Sequence, residues 1–284
     1  MPLKRIEFTK MHGIGNDYIY IDCFKQNIDD PEHLARIMSP RRFSVGADGV
    51  ILICPSDVAD AKMRMFNLDG SEGKMCGNGI RCVGKYIYDN NIAHKDTVTV
   101  ETLSGIKTLS ISQKNGFAES LTVDMGAAEF SCPEVPVIFG GDEMINEPVC
   151  VNKAEYNITA VSMGNPHAVI FCNDTDSLDL EKTGPLFENL LIFPEKVNTE
   201  FVKPINRREL CMRVWERGSG ETFACGTGAC ASVAAAVRNG LAESGAEITV
   251  HLKGGDLYIT YFNDRVLMRG PAEKVYEGVY EYES

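Results

Sequence analysis

One stretch of seventeen residues occurs twice in this chain. It first reads Met63-Arg-Met-Phe-Asn-Leu-Asp-Gly-Ser-Glu-Gly-Lys-Met-Cys-Gly-Asn-Gly79, and it returns as Met212-Arg-Val-Trp-Glu-Arg-Gly-Ser-Gly-Glu-Thr-Phe-Ala-Cys-Gly-Thr-Gly228. Aligned without a gap, the two copies share Met, Arg, Glu, Cys, Gly and Gly, and Cys76 falls on Cys225. Self-similarity at a fixed offset indicates a duplicated structural unit.

The same shift of 149 residues relates other segments. Gly15-Asn16 falls on Gly164-Asn165, and Asn90–Ala93 falls on Asn239–Ala242. We therefore predict a first domain of residues 1–128 joined by a C-terminal strand, 274–284, and a second domain of residues 129–273. The Pro- and Gly-rich stretch 132–148 suits a linker or rim. The tail 275–282 has no counterpart in the repeat, but its alternation of apolar and polar residues predicts a strand that returns to the first domain.

The pattern around each Cys-Gly-x-Gly predicts the fold class. Short strand-like runs precede and follow it, and a helical pattern follows it directly, at 80–88 in the first copy and 229–238 in the second. The second helix consists almost wholly of small residues, which predicts a buried helix. We expect an α/β (α+β) fold of two pseudo-symmetric domains, each with many short strands around a central buried helix, and a cleft between them.

Composition limits the partners and the compartment. The 284 residues carry a formal net charge of −12, which argues against nucleic acid or an anionic membrane as the main partner. The sequence contains no apolar run of about 18 residues, the length of a membrane span. The N-terminus also lacks the apolar core of a signal peptide. We expect a cytoplasmic protein whose partner is a small molecule.

The chain has ten cysteines but no Cys-x-x-Cys pair, so we predict no metal site. In a reducing cytosol most cysteines stay thiols. A single cysteine is usually a small buried apolar residue. The repeat distinguishes Cys76 and Cys225 from the other cysteines, because they occupy the same position in the two copies.

A cysteine at the start of a helix lies where the macrodipole and unpaired N–H groups favour the thiolate, and its pKa is expected to fall below about 8.5. The N–H groups that follow, at Gly77-Asn78 and Gly226-Thr227, suit a bound carboxylate. Inversion of a stereocentre by proton transfer needs a base on one face of the carbon and an acid on the other. Two thiols, one ionised and one neutral, satisfy that need without a cofactor.

Polar side chains near each cysteine are candidates for binding. The repeat makes Asn67 equivalent to Glu216 and Asn16 equivalent to Asn165. Glu216 suits a substrate ammonium group, and Arg217 suits a carboxylate. His167 is a candidate either for tuning a thiol or for ordering its loop.

Six segments together resemble the signatures of the diaminopimelate epimerase family. They are Lys10–Tyr18, Phe66–Glu72, Cys76–Cys82, Val161–His167, Trp215–Thr222 and Ala224–Cys230. The resemblance covers nearly the whole chain in order. It implies cofactor- and metal-free interconversion of LL- and meso-diaminopimelate in lysine and peptidoglycan biosynthesis, by a homodimer whose two domains close around the substrate.

The resemblance also implies roles for individual residues. Cys76 and Cys225 would be the acid/base pair, and His167 and Glu216 would modulate the thiols. The residues implied in substrate binding are Asn16, Asn67, Gly77, Asn78, Asn165, Asn198, Glu216, Arg217, Gly226 and Thr227. The sequence departs from the family pattern at Gly49, where some members carry a substrate-contacting Gln.

Three other functions stay open at this point. A racemase of another amino acid, such as proline or histidine, would use the same two thiols. A nucleotide-binding oxidoreductase would use the loose fingerprint Gly226-x-Gly228-x-x-Ala231 with Glu247 downstream, although a polar loop precedes these glycines instead of a strand. A binding protein without catalysis would leave the paired cysteines unexplained.

Overall fold

The computed structural model describes residues 3–283, which form two compact units. Of these residues, unit 1 comprises 3–123 with 270–283, and unit 2 comprises Asp124–Arg269. The predicted domain boundaries were 128 and 274. Among the described residues, no helix has both the length and the apolar character needed to cross a membrane.

Ten elements follow one another in the first half of the chain. They are β1 (Leu3–Gly13), β2 (Asn16–Asp22), α1 (Pro31–Met38), β3 (Gly49–Cys54), β4 (Ala61–Asn67), β5 (Glu72–Gly73), α2 (Gly77–Asp89), β6 (Thr97–Thr102), β7 (Gly105–Lys114) and β8 (Phe117–Ala127). The chain passes from unit 1 into unit 2 within β8.

Twelve elements make up the remainder. They are β9 (Glu147–Val151), β10 (Ala154–Ser162), β11 (Pro166–Phe171), α3 (Leu180–Glu188), β12 (Asn198–Asn206), β13 (Glu209–Glu216), β14 (Gly220–Glu221), α4 (Gly226–Arg238), β15 (Glu247–Leu252), β16 (Gly255–Phe262), β17 (Arg265–Pro271) and β18 (Glu273–Glu283). The chain returns to unit 1 within β17.

The two units repeat one order of elements, which confirms the duplicated α/β architecture. β1 to β8 correspond in order to β10 to β17, with α1 matching α3 and α2 matching α4. Pairing directions repeat as well. β2 and β3 are parallel, as are β11 and β12, and each of these pairs is separated in sequence by a helix. β4 is parallel to β6, and β13 is parallel to β15.

Both copies use the same glycine turn to present an asparagine. Gly15 and Gly164 each have φ +89°, a conformation that residues with a Cβ rarely adopt. Gly15 lies in the turn between antiparallel β1 and β2, and Gly164 lies in the turn between antiparallel β10 and β11. Asn16 and Asn165 therefore occupy equivalent positions, each directly after the glycine of its turn.

The C-terminal tail has a structural counterpart that the sequence did not reveal. β18 pairs antiparallel with β1, and β9 pairs antiparallel with β10. The strand that follows each copy thus pairs with the first strand of the other copy. The prediction that the tail has no counterpart was wrong, because β9 and β18 share a position in the fold but little sequence.

The stretch 132–148 is more than a linker. Cys132, Val135, Val137 and Met144 are buried in the core of unit 2, beside the helix α3 residue Phe187. The many prolines and glycines in this stretch concealed the apolar residues that fix it to unit 2.

Helices α2 and α4 are the central buried helices of their units. Most side chains of α2 are buried, and α4 is buried from Gly226 to Ala236 except for Thr227. Both helices begin three residues earlier than predicted, because the glycines after each cysteine carry no apolar signal.

Candidate active site

The two cysteines cap the two central helices in the same geometry. Cys76 is the N-cap of α2 with φ −128° and ψ 120°, and Cys225 is the N-cap of α4 with φ −123° and ψ 107°. Each sulfur accepts a hydrogen bond of 3.3 Å from the backbone N–H three residues on, at Gly79 and Gly228. The prediction that both thiols lie at helix starts is confirmed. Sulfur fills the place that a serine or aspartate oxygen usually takes.

In unit 1, Asn16 lies against Cys76. The Sγ atom of Cys76 donates to Oδ1 of Asn16 over 3.3 Å. The Nδ2 atom of the same amide donates to Oδ2 of Asp48 over 2.8 Å. The glycine turn before Asn16 thus delivers one side chain that joins a thiol to a carboxylate.

The start of α2 rests on a buried arginine. Arg81 is fully buried, and its guanidinium donates to the carbonyl of Gly77 over 3.2 Å and to Oδ1 of Asn78 over 3.0 Å. It also donates to the carbonyl of Pro271 over 3.1 Å. Arg81 holds the backbone and side chain of the two residues expected to bind a carboxylate. Sequence reasoning missed it, although its spacing of four from Gly77 places it one helical turn on.

In unit 2, Glu216 lies beside Cys225. Glu216 ends β13, and its Oε1 accepts from the Thr222 hydroxyl over 2.5 Å. The negative charge of this carboxylate acts on the thiol of Cys225. The hydroxyl of Thr227 lies 3.5 Å from the sulfur of Cys225. The structure therefore brings together Glu216, Cys225 and Thr227, three of the candidate site residues.

Burial changes the pKa of both Glu216 and Cys225. It raises the pKa of Glu216, and the hydrogen bond from Thr222 lowers that pKa by a smaller amount. Burial, and then the negative charges of Glu216 and Glu200, raise the pKa of Cys225 well above its usual value. The expected lowering at a helix start is wrong for Cys225 here, because the Thr227 and Gly228 hydrogen bonds to sulfur are the smaller effects.

A buried pair lies behind Cys225. Nδ1 of His167 is 2.7 Å from Oε1 of Glu200, and Nε2 of His167 is 3.1 Å from Oδ1 of Asn165. A Cβ on Gly228 would lie 2.6 Å from Oε1 of Glu200 and 3.2 Å from Sγ of Cys225. Both atoms therefore border one small space at the start of α4. Sequence reasoning missed Glu200, because an acidic residue within a strand carries no motif of its own.

Asn198 connects two strands to the loop of Arg217. This buried side chain donates to the carbonyl of Pro166 over 3.2 Å and accepts from the backbone N–H of Arg217 over 2.9 Å. The guanidinium of Arg217 donates to the carbonyl of Glu195 over 2.8 Å. Asn198 and Arg217 therefore lie together.

Position 49 has no room for a side chain. A Cβ on Gly49 would lie 2.1 Å from the carbonyl oxygen of Phe66 and 3.0 Å from Cε1 of Tyr18. The Gln that some family members carry at position 49 does not fit this backbone.

The candidate Asn67 lies nearby. Its side chain donates to the Ser71 hydroxyl over 3.0 Å, inside the loop after β4.

Comparison with known proteins decides the family. The profile of the diaminopimelate epimerase family matches residues 8–131 and 159–275. The chain belongs to the diaminopimelate epimerase family. The diaminopimelate epimerase of Bacillus cytotoxicus is 51% identical over 284 residues and covers 99% of both chains. That of Acetivibrio thermocellus is 50% identical over 275 residues, with 96% of this chain and 98% of the relative covered.

A solved structure shares the fold at low identity. The Bacillus anthracis phenazine biosynthesis protein of the PhzF family superposes with a TM-score of 0.71 and 18% identity, and 98% of this chain and 99% of that chain are covered. At this identity the likeness shows the fold alone. The fold that holds Cys76 and Cys225 in this chain is therefore also found in a protein of the PhzF family.

Proposed function

We propose that this chain is a diaminopimelate epimerase, an isomerase that interconverts LL- and meso-diaminopimelate for lysine and peptidoglycan synthesis. The observation that carries the proposal is the pair of equivalent thiols, Cys76 and Cys225, each capping a central helix. Relatives about 50% identical over nearly the whole chain carry this enzyme name. A racemase of another amino acid would share the thiols but not this full-length identity.

The proposed chemistry is a two-base proton transfer. One cysteine, as thiolate, takes the α-hydrogen as a proton and becomes a thiol, and the C–H electron pair stays on the α-carbon and its carboxylate. The other cysteine, as thiol, gives its proton to the opposite face of that carbon and becomes the thiolate. Isomers of opposite handedness use the two cysteines in opposite roles.

The carbanion is the costly intermediate, and it needs an anion site. The first N–H groups of a helix have no intrahelical acceptor and favour negative charge. We assign the reacting carboxylate to the backbone of Gly77-Asn78 and Gly226-Thr227. The proposed roles of Arg81 and Thr227 follow from their contacts, since Arg81 fixes Gly77 and Asn78 while Thr227 lies beside the sulfur of Cys225.

The remaining candidates are assigned to the rest of the substrate. Asn16, Asn67, Asn165, Asn198 and Arg217 supply amide and guanidinium groups suited to a second amino-acid end. Glu216 suits an ammonium group. The acid, the base and the anion site all come from the chain, so the proposed reaction needs neither a metal nor an organic cofactor.

Solvent exchange tests the function directly. The purified, reduced protein is treated with a chelator and incubated in D2O with LL-diaminopimelate, and α-deuteration and meso product are followed by NMR. We expect both to appear at comparable rates. A panel containing proline and histidine is run in parallel, and exchange of one of these without exchange of diaminopimelate would reject the assignment.

We further propose a cytoplasmic homodimer. Supporting this, β18 exposes Val275, Tyr276 and Val279, an apolar set on the strand that pairs with β1. Such strands favour association unless covered. Sedimentation should give a dimer mass for the native protein, and Val279→Lys should shift it toward the monomer, whereas Val58→Lys, at another exposed valine, should not. A monomeric native protein would contradict this part of the proposal.

A further inference from the structure

The two equivalent asparagines of the repeat are held by different partners. In unit 1, Oδ1 of Asn16 accepts from the thiol of Cys76. In unit 2, Oδ1 of Asn165 lies 3.1 Å from Nε2 of His167. The same backbone turn therefore serves a thiol in one copy and an imidazole in the other.

The direction of the Asn16 amide is set from behind by Asp48. Oδ2 of Asp48 receives the Asn16 amide at 2.8 Å and the backbone N–H of Asp17 at 3.2 Å. Oδ1 of Asp48 receives the guanidinium of Arg41 at 2.6 Å. A carboxylate bound by three donors acts as an acceptor only, so it selects the NH2 end of Asn16 and turns the amide oxygen toward Cys76.

An amide oxygen accepts hydrogen bonds and donates none. With its oxygen toward sulfur, Asn16 stabilises Cys76 when the sulfur carries a proton and repels the electron pairs of a thiolate. The backbone N–H of Gly79 also contacts this sulfur and suits either form.

We infer that Asp48 is a positioning residue for the proposed epimerase reaction: by fixing the amide of Asn16 it keeps Cys76 protonated before substrate binds, so that Cys76 starts as the acid. The inference deepens the proposed function and rests on it. Cys225 lies close enough to the carboxylate of Glu216 to feel its negative charge, and this carboxylate can accept its proton.

Two other titratable groups that interact with Cys76, Cys82 and Tyr20, are not bases at physiological pH. Burial raises the pKa of Cys82 to about 11 and that of Tyr20 well above its usual value, so both are neutral at physiological pH. Lys10 and Arg41 pair with Asp17, at 2.6 Å and 2.5 Å. The acidic side chain that bonds to Asn16 is Asp48.

The test measures the protonation of Cys76 without using turnover. Substrate-free protein is alkylated with iodoacetamide across a pH series, and the rate at Cys76 is read from its peptide by mass spectrometry. Asp48→Asn offers Asn16 both a donor and an acceptor, which releases the amide to turn its NH2 toward sulfur. The pH of half-maximal alkylation should then fall by about one unit. At any pH below this midpoint, the fraction of Cys76 present as thiolate should rise about tenfold.

A matched control separates positioning from loss of charge. Asp17→Asn makes the same substitution in the same cluster. The Asp17 side chain bonds to Lys10 and Arg41, so this substitution leaves the Asn16–Asp48 hydrogen bond in place. It should leave the Cys76 profile unchanged. Asn16→Ala removes the acceptor and should shift the profile in the direction of Asp48→Asn, and circular dichroism checks that each variant is folded.

The outcomes distinguish the two proposals. An unchanged Cys76 profile in folded Asp48→Asn, or equal shifts in Asp48→Asn and Asp17→Asn, would overturn the positioning role. Failure of the native protein to exchange the α-hydrogen of diaminopimelate would remove the proposed function and leave the alkylation result standing.

Discussion

Nδ1 of His167 lies 2.7 Å from Oε1 of Glu200, and both side chains are completely buried. The oxygen of Asn165 on the other side of the ring accepts only, so Nε2 carries a hydrogen. Glu200 and Asn165 thus hold the two ring nitrogens of His167 from opposite sides. Asn165, the asparagine that His167 contacts, belongs to the proposed substrate site.

Loss of this pair should destabilise the fold. Glu200→Ala leaves the buried His167 without its partner, and we expect the free energy of unfolding to fall by about 3–5 kcal/mol. Asp256→Ala is the matched control, because His251 and Asp256 form a similar pair of 2.8 Å whose side chains are 37% and 44% exposed. It should cost less than about 1 kcal/mol. Urea unfolding measures both, and equal losses would refute the role of burial.

Removing negative charge near Cys225 should make its thiolate easier to form. Glu216 raises the pKa of Cys225 when it is ionised, and Glu200 does so to a smaller extent. Glu216→Gln should therefore move the alkylation profile of Cys225 to lower pH by about one unit, and Glu200→Gln should move it less. The shift appears at neutral to alkaline pH, since the raised pKa of Glu216 leaves it neutral in acid.

The exposed Cys150 provides an internal control for this measurement. Its alkylation profile should be the same in the native protein and in both variants. If Glu216→Gln leaves the Cys225 profile where it is, the charge of Glu216 does not control this thiol.

Each proposed catalytic cysteine should serve one face of the substrate. Cys76→Ala and Cys225→Ala should each lower epimerisation by about 10²–10⁴-fold, the usual contribution of one general acid or base. Any residual α-hydrogen exchange should favour opposite isomers in the two variants, because the remaining thiol can still remove and return a proton on its own face. NMR in D2O from each isomer measures this.

Cys150→Ala is the control for loss of a thiol and should keep native activity. Native rates of epimerisation in either Cys76→Ala or Cys225→Ala would reject the two-base scheme. Equal residual exchange of both isomers in a single variant would point to a base other than the remaining cysteine.

Gly184 in α3 makes room for Trp215, and filling that room should disturb the site. A Cβ at Gly184 would lie 2.1 Å from Cδ2 of Trp215. The indole donates to Glu188 over 2.8 Å, and Glu188 accepts from the N–H of Gly218 over 3.2 Å. Gly184→Ala should cost about 1–3 kcal/mol and raise KM, because the loop that carries Arg217 loses its anchor.

The chain has one tryptophan, so its fluorescence reports this change directly. Gly140→Ala is the control, since a Cβ there would have open space around it, and stability should stay within about 0.5 kcal/mol. An unchanged emission spectrum and KM in Gly184→Ala would show that the loop does not depend on the position of the indole.

The sequence predicted the architecture well because the repeat is local and gapless. Cys76 and Cys225 could be identified as one position occurring twice, and the helices and strands follow from patterns within a few residues. The glycines after each cysteine gave no periodic signal, and for that reason the helix starts were placed too late. The counterpart of the tail was missed, because β9 and β18 are alike in pairing and unlike in sequence.

By itself, the sequence determined the duplicated fold, the family and the two thiols, since these depend on residues close together in the chain. Only the tertiary structure decided the state of those thiols. The partners that control them, Asp48, Glu200 and Glu216, reach them across strands and turns, and burial raised the pKa of Cys225 where the helix start alone predicted the reverse. Burial and charge at a sulfur depend on every segment packed around it, and no local pattern contains that information.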